Sequence, residues 1–222
     1  MGAEVCFQLS DAERESLRGE WLALLSAYAC SAEKASAGFD ALAAAYDEAG
    51  RCYHNLSHVW ALLRLAADYQ TALTDYNAIR WAIWFHDAVY NARSSDNEER
   101  SAAWAVQLLP EFAVPAETVT FVERLILATK SHHAAELNAD ARLFLDLDLA
   151  ILGATETTYA RYAAAIRREY KWVPKILYRR GRRKVLAGFL ERSAIYLTPQ
   201  LAGRFEAQAR RNLQIELAEL SR

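Results

Sequence analysis

All five histidines of this 222-residue chain lie between positions 54 and 133. His54 and His58 are four residues apart, so in a helix both side chains would project from the same face. His86 and Asp87 are adjacent and follow an apolar stretch, "YNAIRWAIWF". A buried carboxylate is costly unless a cation or several hydrogen-bond donors meet it. These residue types therefore favour a site for a cation.

Two further carboxylates, Asp146 and Asp148, lie inside another apolar stretch, "LFLDLDLAIL". Because they are two residues apart, they point to different sides of a helix, and we expect only one to face the histidines. Two imidazoles and two carboxylates form a mixed nitrogen and oxygen site that suits Mn, Fe, Zn, Ni, Co or Mg. The alternative is a buried polar network that holds no metal.

The elements that must position these residues are predicted to be helices. The chain is 53% apolar with 8 Gly and 4 Pro, and it lacks the period-two alternation of β-strands. Two capping boxes, Ser10–Glu13 and Asp96–Glu99, predict helix starts. The predicted helices cover 11–29, 33–48, a segment from about 55, 75–89, 96–109, 115–130, a short segment closed by Gly153, and two longer C-terminal segments, the last beginning at Thr198-Pro199. We therefore predict a single all-α domain over 1–222, with a motif core at about 50–155, additional N-terminal helices, and C-terminal helices over 155–220.

The formal net charge of −2 conceals a basic segment. Residues 161–184 hold ten of the 26 basic residues and one acidic residue, Glu169. We give equal weight to two interpretations, a solvated helix face and a positive surface that attracts a small anion. The overall balance is not basic, and no motif combines basic with stacking residues, which argues against a nucleic-acid partner.

No feature of the chain indicates a membrane or a secretory route. No apolar stretch reaches the roughly 18 residues that a membrane span needs, and the first residues lack the pattern of a secretory signal. The cysteines Cys6, Cys30 and Cys52 show neither a disulfide framework nor a zinc-ribbon spacing. The sequence therefore predicts a cytoplasmic protein.

An ordered set of six short motifs surrounds the candidate ligands. The set resembles the HD-domain superfamily of metal-dependent phosphohydrolases, and more closely a group of predicted bacterial HD hydrolases. The motifs are "YHN..H" at 53–58, "WFHD.VY" at 84–90, "NE..SA" at 97–102, "AT..H" at 128–132, "FLD.DL.ILG" at 144–153 and "AR.NL" at 209–213. The resemblance covers about 50–213 and implies an HD-domain-like helical bundle. The opening "YHN..H" is also similar to the start of the catalytic domain of cyclic nucleotide phosphodiesterases, where the first histidine donates a proton and the second binds metal.

The resemblance implies four metal ligands: His58, His86, Asp87 and one late aspartate. We prefer Asp148 to Asp146 because the family's last aspartate usually precedes a Leu-rich stretch, as in "DLAILG". Asp146 would then orient a ligand or a water. His54 is either the general acid that protonates the leaving oxygen or a supporting hydrogen-bond donor.

Further residues are candidates for bracing the site or for contacting a substrate: Asn55, Glu98, Ser101, His132 and Arg182. His132 could bind phosphate or a second metal ion, with an ordinary surface position as the alternative. Glu98 and Ser101 could brace the site, although helix capping alone accounts for Glu98. Arg182 could clamp a phosphate with two hydrogen bonds, or cover apolar surface with its stem.

The resemblance thus implies hydrolysis of a phosphoester or phosphoanhydride in a small, nucleotide-like anion. Water activated on one divalent ion would attack, Asp87 would orient that water, and a second ion is left open. Two alternatives remain, a regulatory module that binds nucleotide and metal without turnover, and a di-iron oxygenase built on the HD fold. A homodimer is also left open, and the sequence names neither the substrate nor the metal.

Overall fold

The computed structural model describes residues 5–131 and 138–221. Over these residues the chain forms ten α-helices, three short 3-10 helices and no β-strand, which confirms the all-α prediction. The α-helices are α1 (Asp11–Leu25), α2 (Ala32–Tyr46), α3 (Leu56–Asp68), α4 (Tyr76–Phe85), α5 (Asn97–Leu108), α6 (Ala116–Thr129), α7 (Ala139–Asp148), α8 (Glu156–Glu169), α9 (Lys175–Glu191) and α10 (Pro199–Leu220). The 3-10 helices are Gln70–Ala72, Leu109–Phe112 and Leu149–Gly153.

One of the two predicted capping boxes forms. Ser10 Oγ accepts a hydrogen bond from the backbone N–H of Glu13 at 3.3 Å, and the Glu13 carboxylate accepts one from the N–H of Ser10 at 2.8 Å. The prediction of a capping box at Asp96 is wrong. The Asp96 carboxylate makes no capping hydrogen bond to α5 and instead accepts a hydrogen bond from Ser94 Oγ. The start of α5 at Asn97 is nevertheless close to the predicted one.

Contacts within the chain define two compact units, one of residues 7–135 and one of residues 1–6 and 136–222. The first unit contains α1–α6 and has an aromatic core. The Trp21 ring meets the rings of Trp81, Trp84 and Phe112 edge-on, at centroid distances of 5.1–5.5 Å. Residues 78–85 of α4 are all buried. The core therefore fixes the position of α4, whose end carries His86 and Asp87.

The second unit contains α7–α10 and joins two of the sequence motifs. Asn212 Nδ2, in "AR.NL", donates to the carbonyl oxygens of Leu152 and Ala154, both at 2.8 Å. A Cβ atom at Gly153 would lie 2.6 Å from Phe205 Cβ, so only glycine fits here. The end of "FLD.DL.ILG" thus packs directly on α10, which explains why the two motifs occur together. A single domain over 1–222 stays a prediction.

The cysteines differ from the expectation. Cys6 and Cys52 are each disulfide-bonded, whereas Cys30 is free. The prediction of no disulfide framework is therefore wrong for Cys6 and Cys52, because disulfide formation depends on proximity in the fold, which sequence spacing alone does not reveal. Among the residues that the structure describes, no helix has both the length and the apolar character of a membrane crossing. The cytoplasmic location stays a prediction.

Candidate metal centre

His58 is positioned by the turn that precedes α3. Asn55 is the N-cap of this helix. Its Oδ1 accepts a hydrogen bond from the N–H of Ser57 at 3.0 Å, and its Nδ2 donates to the carbonyl of Phe7 at 2.9 Å. The helix therefore begins at Leu56, and His58 lies in its first turn with 3% of its surface exposed. This structural role accounts for the asparagine in the "YHN" motif.

A buried arginine that the sequence did not single out holds the end of α4. Arg51 Nη1 donates to the carbonyl of Asp87 at 2.6 Å, and Nη2 donates to that of Ala88 at 3.0 Å. Nη1 also lies 3.4 Å from the carbonyl oxygen of His54. The Arg51 side chain is 3% exposed. A guanidinium at a helix C-terminus satisfies carbonyls that have no partner within the helix, and here it also ties the backbone of His54 to that of Asp87.

Three of the predicted ligand atoms converge at this point. His58 Nε2 and His86 Nε2 are 3.1 Å apart, and His86 Nε2 and Asp87 Oδ2 are also 3.1 Å apart. The remaining pair, His58 Nε2 and Asp87 Oδ2, is separated by 3.8 Å. The two histidine side chains are buried, whereas 19% of the Asp87 side chain is exposed. The centre therefore has buried nitrogen donors and one carboxylate that solvent can reach.

The orientation of the His86 ring directs its Nε2 atom at the other two ligand atoms. Its Nδ1 lies 2.9 Å from the carbonyl oxygen of Ile83. Because a carbonyl can only accept, Nδ1 carries a proton; Nε2 is then an acceptor in the neutral ring and a donor to Asp87 in the charged ring. A carbonyl partner on the far nitrogen is the usual support of a metal-binding histidine, since it fixes the tautomer and the ring orientation.

The arrangement fits a divalent cation. Ligand atoms at about 2.0–2.2 Å from a metal are themselves roughly 3–3.5 Å apart, and two of the three separations here are 3.1 Å. Two imidazole nitrogens and one carboxylate oxygen are a donor set that first-row metals accept. His58 and His86 each offer one ring nitrogen as a ligand atom. A cation would also compensate the negative charge of the carboxylate that faces them.

The groups around Asp87 favour its ionised form. Burial opposes its ionisation, but positive charge on His86, His54 and His58 and a hydrogen bond with His86 hold the pKa of the Asp87 carboxyl well below its usual range. The carboxylate form is the one that binds a cation.

His54 lies beside the three ligand atoms, outside α3. The prediction that His54 and His58 share one helix face is wrong, because α3 starts two residues after His54. The His54 ring stacks on Tyr90 with centroids 4.3 Å apart and planes at 24°. The centroids of the His54 and His58 rings are 6.3 Å apart. Both predicted roles, general acid and supporting hydrogen-bond donor, fit this half-buried position.

Asp146 has a structural role in the second unit that the sequence did not predict. Its buried carboxylate accepts hydrogen bonds from the N–H groups of Leu197 and Thr198, each at 2.7 Å, and from Thr198 Oγ1 at 2.6 Å. Burial raises the pKa of Asp146, although these donors oppose the rise. Asp146 thus anchors the start of α10.

Asp148 is the last residue of α7 and is half-buried. Its role as a metal ligand stays a prediction.

The Arg182 guanidinium forms an ion pair within the second unit and is not free to bind a phosphate. Its Nε and Nη2 donate to the two carboxylate oxygens of Glu216 at 2.8 and 3.0 Å. Both side chains are 9% exposed. Tyr159 Oη donates to the same carboxylate. An internal ion pair therefore takes the place of the predicted phosphate clamp.

The serine of the "NE..SA" motif, Ser101, forms hydrogen bonds to the loop that follows Asp87. The buried Ser101 Oγ accepts a hydrogen bond from the N–H of Val89 at 3.0 Å and donates to the carbonyl of Val89 at 3.2 Å. This pair of bonds fixes the loop that follows Asp87. Glu98 lies half-buried in the first turn of α5. His132 lies outside the described residues.

Comparison of the chain with models of protein families, with curated proteins and with solved structures finds no match. The ordered motifs and the convergence of His58, His86 and Asp87 are therefore what supports a functional assignment.

Proposed function

We propose that this chain is a metal-dependent phosphohydrolase of the HD-domain type, which cleaves a phosphoester or phosphoanhydride. The observation that carries the proposal is the convergence of His58 Nε2, His86 Nε2 and Asp87 Oδ2 within 3.1–3.8 Å. Each of these residues stands where the motif resemblance implies a ligand. On the basis of the sequence motif alone, we also propose Asp148 as a fourth metal ligand.

The residues of the centre would divide the work between binding and proton transfer. A bound divalent cation lowers the pKa of its water toward neutrality and polarises a phosphoryl oxygen. His58 and His86 would hold the cation, and the Ile83 carbonyl would keep the proton of the His86 ring on Nδ1, so that Nε2 can bind the metal. Asp87 completes the donor set and accepts a hydrogen bond from the attacking water. His54, stacked on Tyr90, protonates the leaving oxygen.

Metal content is the first test of this proposal. We expect the purified protein to carry about one divalent ion per chain, measured by elemental analysis. His86→Ala and Asp87→Asn should lose the ion, because each removes one of the converging ligand atoms. Asp11→Asn, the same chemical change at an exposed position in the first turn of α1, should retain it. Retention of the ion by His86→Ala would exclude His86 as a ligand.

Phosphate release from a panel of nucleotides and sugar phosphates then tests the reaction. We expect release by the metal-loaded protein and none by Asp87→Asn. Iron with oxygen uptake and no phosphate release would support the di-iron oxygenase instead. Binding of metal and nucleotide without turnover of any tested ester would support the regulatory module. Either result would overturn the hydrolase proposal.

A further inference from the structure

A pocket of about 470 Å³ lies in the first unit, against the loop that follows Asp87. Residues 88–91 of this loop form part of its wall, and Arg100 and Trp104 of α5 form another part. Glu48 and Arg51 complete the polar lining. The volume is in the range of small-molecule pockets, about 300–1,000 Å³. None of the roles assigned above to the metal ligands explains these pocket residues.

The charge of the lining favours an anion. Two guanidinium groups, those of Arg51 and Arg100, stand against one carboxylate, that of Glu48. The Glu48 carboxylate accepts a hydrogen bond from Arg51 Nη2 at 3.2 Å, and the Glu48 side chain is 61% exposed. The Arg51 Nη atoms already donate to backbone carbonyls, so Arg51 contributes charge rather than hydrogen bonds. Arg100 is exposed, and its guanidinium is the group that would bond to an anionic oxygen.

The aromatic residues of the lining favour a planar ring on the same ligand. Trp104 is half-buried, with its indole edge-on to Phe85 at a centroid distance of 6.2 Å. Indole and phenol rings bind nucleobases by stacking. Tyr90 lines the pocket as well, and it also stacks on His54 at 4.3 Å. The pocket and the proposed proton donor therefore share one contact residue, Tyr90.

We propose that this pocket binds a nucleoside monophosphate, with its phosphate at Arg100 and its base against Trp104. Because no proposed metal ligand lines the pocket, we propose it as a binding site beside the metal centre, which goes beyond the proposed function. Binding itself does not depend on metal or on turnover.

Calorimetric titration of the full-length, EDTA-treated protein with AMP, adenosine and ribose 5-phosphate tests the pocket. We expect saturable binding of AMP. Arg100→Gln should weaken AMP binding about tenfold and leave adenosine binding unchanged. Trp104→Leu should weaken binding of AMP and adenosine and leave ribose 5-phosphate unchanged. Arg124→Gln, an exposed arginine of α6, should bind all three ligands as the unmodified chain does.

The outcomes separate this inference from the proposed function. No saturable binding of AMP, or equal AMP affinity in Arg100→Gln and the unmodified chain, overturns the pocket assignment even if the protein hydrolyses phosphoesters. AMP binding with the expected dependence on Arg100 supports the pocket even if no ester is cleaved. Circular dichroism confirms that each variant is folded, and the exposed position of Arg100 makes its variant the decisive one.

Discussion

At the scale of single residues, His54 and His58 show how two histidines four positions apart can take separate roles. The N-cap at Asn55 starts α3 between them, so His58 belongs to the helix and His54 to the turn before it. His58 is buried and points at His86, whereas His54 is half-buried and stacks on Tyr90. The buried ring suits a ligand, and the half-buried ring suits a group that exchanges protons with a substrate.

We therefore expect His54→Ala to keep its metal and to lose activity in a way that depends on the leaving group. A general acid contributes about 10²- to 10⁴-fold, so kcat for an alkyl phosphate should fall by that order. An activated aryl phosphate, whose leaving group needs no proton, should be cleaved at nearly the original rate. Steady-state kinetics on both esters, with metal content measured in parallel, make the comparison. Equal loss on both esters would assign His54 a structural role.

At the scale of elements, the helices were predictable, whereas the contacts between distant segments were not. The capping box at Ser10 and the apolar run of α4 are local patterns, and both predicted elements formed. Arg51 was missed because its importance comes from the carbonyls of Asp87 and Ala88, which only the fold brings near. Asp96 was misjudged because Ser94 competes for its carboxylate. The convergence of His58, His86 and Asp87 was predicted through motif resemblance together with residue type.

The contact between α7 and the start of α10 can be tested at Asp146, whose carboxylate accepts hydrogen bonds from Leu197 and Thr198. Asp146→Asn should lower the free energy of unfolding by about 2–4 kcal/mol, because an amide cannot accept all the hydrogen bonds that start α10. Asp11→Asn, at an exposed position of α1, should cost clearly less in the metal-free protein. Urea denaturation of both EDTA-treated variants measures the difference. Equal destabilisation by the two substitutions would contradict the assignment of the anchoring role to Asp146.

At the scale of the whole molecule, the basic segment 161–184 divides into internal and exposed charges. Arg167 donates to the carbonyls of Tyr170 and Val173 at 2.6 and 3.1 Å, and Arg182 pairs with Glu216. Arg180 is among the exposed bases, which line a surface groove on α9 together with Ile176, 81% exposed. The segment therefore contains both a solvated face and charges that stabilise the second unit.

The proposed ligands are distributed over both compact units. This distribution allows a test of whether Asp148 is a ligand. His58, His86 and Asp87 lie in the unit of residues 7–135, whereas Asp148 lies in the other unit. A metal that binds only the native state stabilises it by about 2.7 kcal/mol at a hundredfold excess over Kd. The segments that supply ligands should gain protection against local opening. Addition of Mn²⁺ to the EDTA-treated protein should therefore slow hydrogen exchange in α3, at the end of α4, and in α7.

Asp148→Asn should keep the slower exchange in α3 and at the end of α4 and lose it in α7, because three ligands remain in the first unit. Mass spectrometry of peptic fragments resolves these segments, and Asp11→Asn serves as the control with unchanged protection. Equal protection of α7 in Asp148→Asn and the unmodified chain would remove Asp148 from the ligand set. It would leave His58, His86 and Asp87 as a three-residue centre, because their convergence does not depend on the second unit.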